Sequence, residues 1–228
     1  MEKIIYNQLG HSELFKNLST KKIKNLLSQI NYSIKSYENN EILFWEDSPC
    51  NELSIVIKGA IRIESISYSG KVFIVRQISQ NEIFGEGLIF SNKNFYPVNV
   101  VAHKTKTEVL HLKKCDILKL FQLNQEISAN LISILSNKMT FLNQKVRLLA
   151  LSTIRQKISL YLLEEYKEKQ SFKIPIETSK KNLADLFAIA RPSLSRELMS
   201  MKFEGIIDYD LNSFYIKDLE KLKNTLLE

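Results

Sequence analysis

The residues with the clearest chemical potential lie in one segment of the sequence, SKKNLADLFAIARPSLSRELMSM at positions 179–201. Two of the six arginines in the chain, Arg191 and Arg196, fall within it. A guanidinium group can grip O6 and N7 of guanine with two hydrogen bonds, whereas lysine, the abundant cation here, lacks that fork. Ser193 and Ser195 lie in the same stretch, and a serine hydroxyl can donate to a phosphate oxygen. These residue types therefore indicate contact with bases and backbone of a nucleic acid.

The apolar spacing of this segment predicts two short helices joined by a tight turn. Leu183, Leu186 and Phe187 line one face of the first helix. Ala188-Ile189-Ala190 form the turn, and Pro192 suits the first turn of the second helix because amides there have no intrahelical acceptor. Leu194 and Leu198 form the buried stripe of the second helix.

Two short helices with such a turn make a helix-turn-helix, in which the N-terminal residues of the second helix face base edges in the major groove. The alternative is an ordinary helical hairpin with solvent-facing arginines. On the first interpretation, the chain binds double-stranded DNA. Ser179 is also a candidate N-cap of the first helix. The predicted DNA-binding residues are Ser179, Lys180, Arg191, Ser193, Ser195 and Arg196.

The charge of the chain is concentrated around the same segment. The formal net charge is +7, and residues 143–202 hold 12 Lys/Arg against 6 Asp/Glu. A basic region permits an anionic partner, although a solvated lysine-rich surface is the alternative. After it, Gly205-Ile206-Ile207, the turn Asp210-Leu211-Asn212-Ser213 and Phe214-Tyr215-Ile216 predict a small β-hairpin, a wing whose acidic residues are unlike a phosphate clamp.

The element before this segment is a long helical stretch from about Asp116 to Lys169. Leu151-Ser152-Thr153 interrupts it, and Thr153 is a candidate cap for a new helix. An unbroken a/d seam with 3, 4, 3, 4, 3 spacing predicts a homodimer, with both stripes buried in one monomer as the alternative. The predicted dimer-interface residues are Ile132, Leu135, Met139, Leu142, Val146 and Leu149. A second stripe, predicted to pack on the N-terminal domain, is Ile127, Leu131, Ile134, Phe141 and Leu148.

The N-terminal half begins with helical spacing over 11–30, where Ser19 or Thr20 is a candidate N-cap, and then changes to period two from about 32 to 112. Leu53, Ile55 and Ile57 alternate, as do Val72, Ile74, Arg76 and Ile78 after a Ser69-Gly70 turn. Short strands of this kind predict an antiparallel sandwich or barrel. Asn40, Asp47 and Asn81 lie between strands, and Asn and Asp best tolerate the left-handed conformation after glycine.

At this point the chain resembles the Crp–Fnr superfamily over nearly its whole length. The resemblance includes Ile57-Lys58-Gly59 with its following strand, Phe84-Gly85-Glu86, the long helix and the C-terminal helix-turn-helix. It implies an α+β fold with three parts: a cyclic-nucleotide-binding-like antiparallel β-barrel (a double-stranded jelly roll) over 1–124, a dimerisation helix and hinge over 125–152, and a winged helix-turn-helix over 153–228. It also implies a transcriptional regulator that reads a palindrome, and RNA polymerase as a partner if the protein activates.

Two departures from the family pattern affect specificity. Arg191 and Arg196 match base-reading arginines, but Pro192 replaces a base-reading Glu. In the sensor, Gly85-Glu86 is present, whereas Tyr96 replaces the arginine that pairs with the cyclic phosphate, Pro97 replaces a hydroxyl residue, and Leu142 stands where the receptor branch offers a hydroxyl to adenine. We therefore expect a small-molecule effector other than a cyclic nucleotide. The candidate pocket residues are Gly85, Glu86, Tyr96, Pro97, Phe141 and Leu142, with Tyr96 and Phe141 as simple core residues the alternative.

Other functional classes find less support in the sequence. Cys50 and Cys115 are too few for a disulfide framework, an Fe–S cluster or a cysteine-based zinc site, and we expect buried, inert thiols rather than redox switches. His103 and His111 invite a haem or metal interpretation, but no third ligand follows at metal spacing, so we expect no metal and no cofactor. The start of the chain lacks the pattern of a signal peptide and no apolar run reaches about 18 residues, so we expect a cytoplasmic protein without a membrane partner.

Two further hypotheses remain beside DNA binding. A jelly-roll enzyme would need a catalytic constellation or a glycine-rich phosphate loop, and neither is present, so we expect no enzyme activity. A regulator acting through protein contacts alone would make the DNA-binding domain a relic, against which the two recognition arginines argue.

Overall fold

The computed structural model describes residues 2–67, 70–176 and 179–227, except for the side chains of residues 2–4 and of Thr105. The chain divides into two compact units, Met1–Asn137 and Lys138–Glu228. Each unit has its own hydrophobic core. Within the described residues, no helix is both long and apolar enough to cross a membrane.

The first unit opens with three short helical elements: α1 (Glu2–Leu9), a 3-10 helix (Glu13–Phe15) and α2 (Thr20–Leu27). The helical segment predicted over 11–30 is therefore split in two. Ser19 is the N-cap at which α2 begins, because its side chain accepts a hydrogen bond from the backbone N–H of Lys22 at 3.3 Å.

Six antiparallel strands follow: β1 (Tyr32–Tyr37), β2 (Ile42–Phe44), β3 (Glu52–Ile66), β4 (Val72–Ser79), β5 (Ile83–Phe84) and β6 (Asn99–Lys113). Their order is β1-β6-β3-β4, with β2 paired to β6 and β5 paired to β3. The sheet curls into the barrel-like sensor fold, which confirms the predicted fold class. In the predicted Ser69-Gly70 turn, Ser69 lies outside the described residues, while Gly70 has a φ of 78° and donates its N–H to the carbonyl of Ser67.

Burial in strands β3 and β4 differs from a simple alternation. Leu53, Ile55 and Ile57 are buried as predicted, but Ser54 and Val56 between them are buried as well, because both faces of this part of β3 are covered. In β4 only Ile78 is buried. Val72, Phe73, Ile74 and Val75 are 50–64% exposed, so neither face of this part of the strand is covered within the described chain.

The predicted left-handed turn positions are confirmed. Asn40, Asp47 and Asn81 have φ values of 68°, 62° and 70°. Asn40 adds a contact of its own, since its Oδ1 accepts a hydrogen bond from Arg62 Nη1 at 2.8 Å. Local residue type thus fixed three turns without glycine.

Three helices follow the sheet: α3 (Lys114–Leu123), α4 (Gln125–Ala150) and α5 (Ile154–Lys169). The predicted segment boundaries at 124/125 and 152/153 lie near the two ends of α4, while the two compact units divide within it. The predicted cap at Thr153 is confirmed, because its side chain accepts from the N–H of Gln156 at 3.1 Å and Gln156 Oε1 accepts from the N–H of Thr153 at 3.2 Å.

The two apolar stripes of α4 have different environments. Ile127, Leu131 and Ile134 of the second stripe are buried in the core of the first unit, as predicted. Leu148 is buried in the core of the second unit instead, and Phe141 is 53% exposed, so the predicted packing of these two residues on the N-terminal domain is wrong. In the predicted dimer stripe, Leu135 is partly buried, and the other members are 49–64% exposed: Ile132, Met139, Leu142, Val146 and Leu149.

The second unit contains β7 (Lys173–Pro175), α6 (Lys180–Phe187), α7 (Arg191–Phe203), β8 (Ile207–Tyr209), β9 (Ser213–Ile216) and α8 (Leu219–Asn224). The predicted two-stranded wing is a three-stranded sheet of order β7-β9-β8. The third strand, β7, pairs Ile174 with Phe214. Its three residues carry too little pattern for sequence analysis to detect.

Candidate functional site

The helix-turn-helix predicted from the sequence is present in α6 and α7. Ser179 caps α6, since its Oγ accepts a hydrogen bond from the N–H of Asn182 at 3.1 Å. Ala188 ends the helix in the left-handed conformation with a φ of 54°, and Pro192 lies in the first turn of α7.

One side of this pair forms the core of the unit. Phe187, Leu194, Leu198 and Met201 are fully buried, together with Leu183 at 3% exposure. Leu186, predicted with Leu183 and Phe187, is only partly buried. The buried side fixes which residues of the first turn of α7 remain on the surface.

The two recognition arginines lie on that surface. Arg191 is exposed and makes no hydrogen bond or ion pair with any residue that the structure describes. Arg196 is also exposed, and its contacts to the Pro192 carbonyl and to Ser193 Oγ are both 3.5 Å, at the long limit of a hydrogen bond. Ser193 and Ser195 are partly buried. Both guanidinium groups are therefore available to an external acceptor.

Lys180 has a different environment from the arginines. Its Nζ lies 4.6 Å from the ring centroid of Tyr209, and Lys202 Nζ lies 5.5 Å from the same centroid. Lys202 also forms an ion pair with Asp208 at 2.5 Å, which raises the pKa of the lysine and lowers that of the carboxyl group. The ring of Tyr209 thus keeps two cations at the base of the wing.

The acidic turn of the wing is used internally. Asp210 accepts hydrogen bonds from the N–H groups of Asn212 and Ser213 at 2.7 and 2.8 Å, and from the hydroxyl of Tyr215 at 2.9 Å. These donors hold the pKa of Asp210 below its ordinary value. Its carboxylate therefore stabilises the turn.

The most extensive polar contact of α7 involves Arg155, which sequence analysis did not single out. Its Nε donates to Glu197 at 2.7 Å, and its Nη1 donates to Glu204 at 2.7 Å. Its Nη2 donates to Glu204 at 2.5 Å and to Ser200 Oγ at 3.2 Å. These hydrogen bonds raise the pKa of the guanidinium and lower that of Glu204. The scarcity of arginine was the one available signal, since Arg155 is among only six.

A second cation of α5 holds the other helix of the pair. Lys157 Nζ donates to the backbone carbonyl of Phe187 at 3.2 Å. This carbonyl belongs to the last turn of α6, where carbonyls lack intrahelical partners and the helix dipole attracts positive charge. Together, Arg155 and Lys157 fix both helices of the DNA-binding motif to α5.

The first unit contains the predicted sensor residues Gly85, Glu86, Tyr96 and Pro97. Gly85 has a φ of 83°, and a Cβ atom there would lie 2.9 Å from the carbonyl oxygen of Glu52 and 3.4 Å from the Tyr96 hydroxyl. Tyr96 is 3% exposed and stacks on Phe44 with ring centroids 4.5 Å apart. Its burial raises the pKa of the phenol. The structure thus brings Gly85 and Tyr96 together.

The remaining sensor candidates are less enclosed. Pro97 is exposed and Glu86 partly buried. Phe141 and Leu142 belong to the second unit and are 53% and 59% exposed. Among the predicted pocket residues, Tyr96 is the one whose side chain is buried in the core of the first unit.

The histidines and cysteines of the first unit serve different roles. His111 is 1% exposed; its Nε2 shares a hydrogen bond with the Tyr37 hydroxyl at 3.1 Å and its Nδ1 with Ser54 at 2.9 Å. Burial lowers the pKa of His111 to about 4. Among the residues that the structure describes, no three His, Cys, Asp or Glu side chains are grouped to hold a metal ion. Cys50 is buried as expected, but Cys115 is exposed on the outer side of α3, so its predicted burial is wrong.

Comparison with known proteins gives matches along most of the chain. The family models of the cyclic nucleotide-binding domain and of the Crp-like helix-turn-helix domain match residues 34–124 and 156–225. The anaerobic regulatory protein of Bacillus subtilis is 25% identical over 206 residues, which is 87% of this chain and 79% of the relative. The cAMP-activated global transcriptional regulator CRP of Pasteurella multocida is 21% identical over 178 residues, covering 76% and 85% of the two chains.

A solved structure supports the same fold. The catabolite activator protein of Thermus thermophilus aligns with a TM-score of 0.55 and 20% identity, covering 95% of this chain and 99% of that one. The curled antiparallel sheet, the long helix and the helix-turn-helix occur in the same order in this chain. With its sensor-type sheet and DNA-binding helix-turn-helix matched by separate models, the chain belongs to the Crp–Fnr family of transcriptional regulators, which are not enzymes.

Proposed function

We propose that this regulator acts as a homodimer that reads a palindromic DNA site with the first turns of its two α7 helices. The observation that carries the proposal is the pair of exposed guanidinium groups of Arg191 and Arg196 on a helix whose opposite side is anchored in the core. Each bidentate contact to guanine is worth roughly 1–3 kcal/mol of discrimination against another base. In this proposal the hydroxyls of Ser193 and Ser195 donate to phosphate oxygens, and Ser179 and Lys180 at the start of α6 add further contacts to the DNA.

The dimer rests on the exposed stripe of α4. Ile132, Met139, Leu142, Val146 and Leu149 are each about half exposed or more, and they recur at coiled-coil spacing together with the partly buried Leu135. An a/d seam of this kind is covered when a second copy of the helix packs against it. Two copies related by a two-fold axis match a palindrome whose half-sites lie about 10–10.5 base pairs apart.

The DNA proposal is tested by selecting duplexes from a random pool with the purified full chain at about 100 mM salt, because phosphate contacts make affinity depend steeply on salt. We expect enrichment of a palindrome of that spacing. The Arg191→Ala/Arg196→Ala double variant should lose the selected site while keeping its thermal stability. Arg147→Ala is the matched control, because it removes an exposed arginine of α4 that pairs with Glu164. Equal binding by the double variant and the control would contradict the proposal.

We also propose that the effector is not a cyclic nucleotide. Tyr96 stands where the resemblance implies a phosphate-pairing arginine, and its buried ring stacks on Phe44. A phosphodiester removed from water without a charge-assisted partner loses affinity. Calorimetric titration of the full chain with cyclic AMP and cyclic GMP should give no heat at micromolar ligand, as for 5′-AMP, the control. Micromolar affinity for either cyclic nucleotide would refute this part.

If the regulator activates transcription, its further partner is RNA polymerase. Effector binding in the sensor would then change the spacing of the two α7 helices through α4 and the break at 151–153. A ligand can shift this equilibrium only by its difference in affinity for the two states.

A further inference from the structure

The exposed side of α7 includes an apolar group at the end that carries the two arginines. Pro192 is exposed in the first turn, and Ser195 and Arg196 follow it on the same side at spacings of three and four residues. The opposite side, with Leu194 and Leu198, is buried. The pyrrolidine ring therefore forms part of the surface that presents both guanidinium groups.

This ring is rigid and lacks any polar atom of its own. Proline fixes its own φ and has no rotatable side-chain torsion to immobilise on binding. Its backbone carbonyl receives the long contact from Arg196 Nε at 3.5 Å. The side chain of Pro192 therefore offers neither a hydrogen-bond donor nor an acceptor to a base edge.

Base edges in the major groove carry one apolar group, the C5-methyl of thymine. A polar base edge placed against the ring would give up water without gaining a hydrogen bond, which is unfavourable. A thymine methyl would instead bury apolar surface against the ring. We propose that Pro192 is a specificity-determining residue that contacts a thymine methyl in each half-site, beside the base pairs contacted by Arg191 and Arg196. This inference rests on the proposed DNA function and names the base that it favours.

The expected loss of affinity on removing the thymine methyl follows from the burial of one methyl group. Its transfer free energy corresponds to about a fourfold change in affinity for each half-site. In a dimer that occupies both half-sites, the same change at both positions gives roughly 15-fold.

The test uses the selected palindrome with each thymine of the half-site replaced in turn by deoxyuridine, in both halves. This replacement removes only the methyl group and preserves base pairing. Dissociation constants of the full chain are measured by fluorescence anisotropy at about 100 mM salt. We expect one position to weaken binding by roughly 15-fold. The Pro192→Ser variant should lose this discrimination, with a thymine-to-uracil ratio near one at that position.

Met199→Ala is the matched control. Met199 is 61% exposed on the same side of α7, two turns further from the N-terminal end, so removing its side chain should leave the ratio unchanged. If no thymine responds in the unaltered protein, or if Pro192→Ser keeps the response, the inference is overturned while DNA recognition stands. If no palindrome is selected at all, the proposed function fails and this inference fails with it.

Discussion

Replacing Arg155 by methionine tests whether α7 depends on its anchor to α5. The guanidinium is 24% exposed and donates four hydrogen bonds of 2.5–3.2 Å to Glu197, Ser200 and Glu204. An exposed ion pair is worth about 0–1 kcal/mol, whereas breaking a fully buried pair costs about 3–5 kcal/mol. The partial burial of this network places the expected loss between these limits, at about 2 kcal/mol in the free energy of unfolding.

Calorimetric melting of the full chain at pH 7 measures this loss. For a unit the size of Lys138–Glu228, about 2 kcal/mol corresponds to a fall of roughly 8–16 °C in the transition that belongs to it. Arg147→Met is the matched control, because Arg147 makes a single ion pair with Glu164 and is 63% exposed. The control should change stability by less than about 0.5 kcal/mol.

The pH dependence gives an independent check. The pKa of Glu204 in the folded chain is lowered by Arg155, so its contribution is present above the ordinary pKa of 4.5 and is lost as the pH falls through the lowered value. The difference between the unaltered chain and Arg155→Met should therefore shrink below about pH 4. A variant that melts with the control at pH 7, or a difference that stays constant down to pH 3, would refute the reasoning.

Three other predictions concern the dimer, the buried histidine and the turn of the DNA-binding motif. The Leu142→Glu/Val146→Glu double variant should sediment as a monomer, because it places charges in the exposed α4 stripe, and an unchanged dimer mass would count against that stripe as the interface. Burial lowers the pKa of His111 to about 4, so the folded chain binds fewer protons than the unfolded chain between pH 6.5 and 4. The free energy of unfolding should therefore fall by about 3 kcal/mol as the pH drops across that range. Thermal melts of the His111→Gln variant should lack this pH-dependent loss of stability. Ala188→Gly should raise the free energy of unfolding of the second unit by about 0.5–1 kcal/mol, because Ala188 has a φ of 54° where glycine is unstrained, and a lower melting temperature would show that the strain is absent.

The parts of the fold that the sequence predicted correctly have local signals. Ser179 and Thr153 are the N-cap residues of their helices. The left-handed turns use Asn40, Asp47 and Asn81, whose residue types tolerate positive φ. Each of these features is decided by residues within about four positions along the chain. The helix-turn-helix is of the same kind, because its two stripes and its turn lie within 23 consecutive residues.

The features that the sequence did not reveal depend on contacts between distant positions. Arg155 meets Glu197 across 42 residues and Glu204 across 49. Strand β7 is defined only by its pairing with β9, about 40 residues away. Phe141 and Cys115 have the residue types of buried positions, but the described residues leave both side chains exposed. Periodicity identifies a stripe, whereas burial requires a second surface that the pattern does not specify.

The exposed strand β4 has a consequence for the handling of this protein. It ends the described order β1-β6-β3-β4, so one of its edges carries backbone groups that β3 does not satisfy. Val72, Phe73, Ile74 and Val75 form an apolar run on that edge, the composition that favours intermolecular β-pairing and aggregation. Lys71 and Arg76 flank the run and act as charged gatekeepers. Neutralising these two cations should therefore lower the concentration at which the purified protein begins to precipitate.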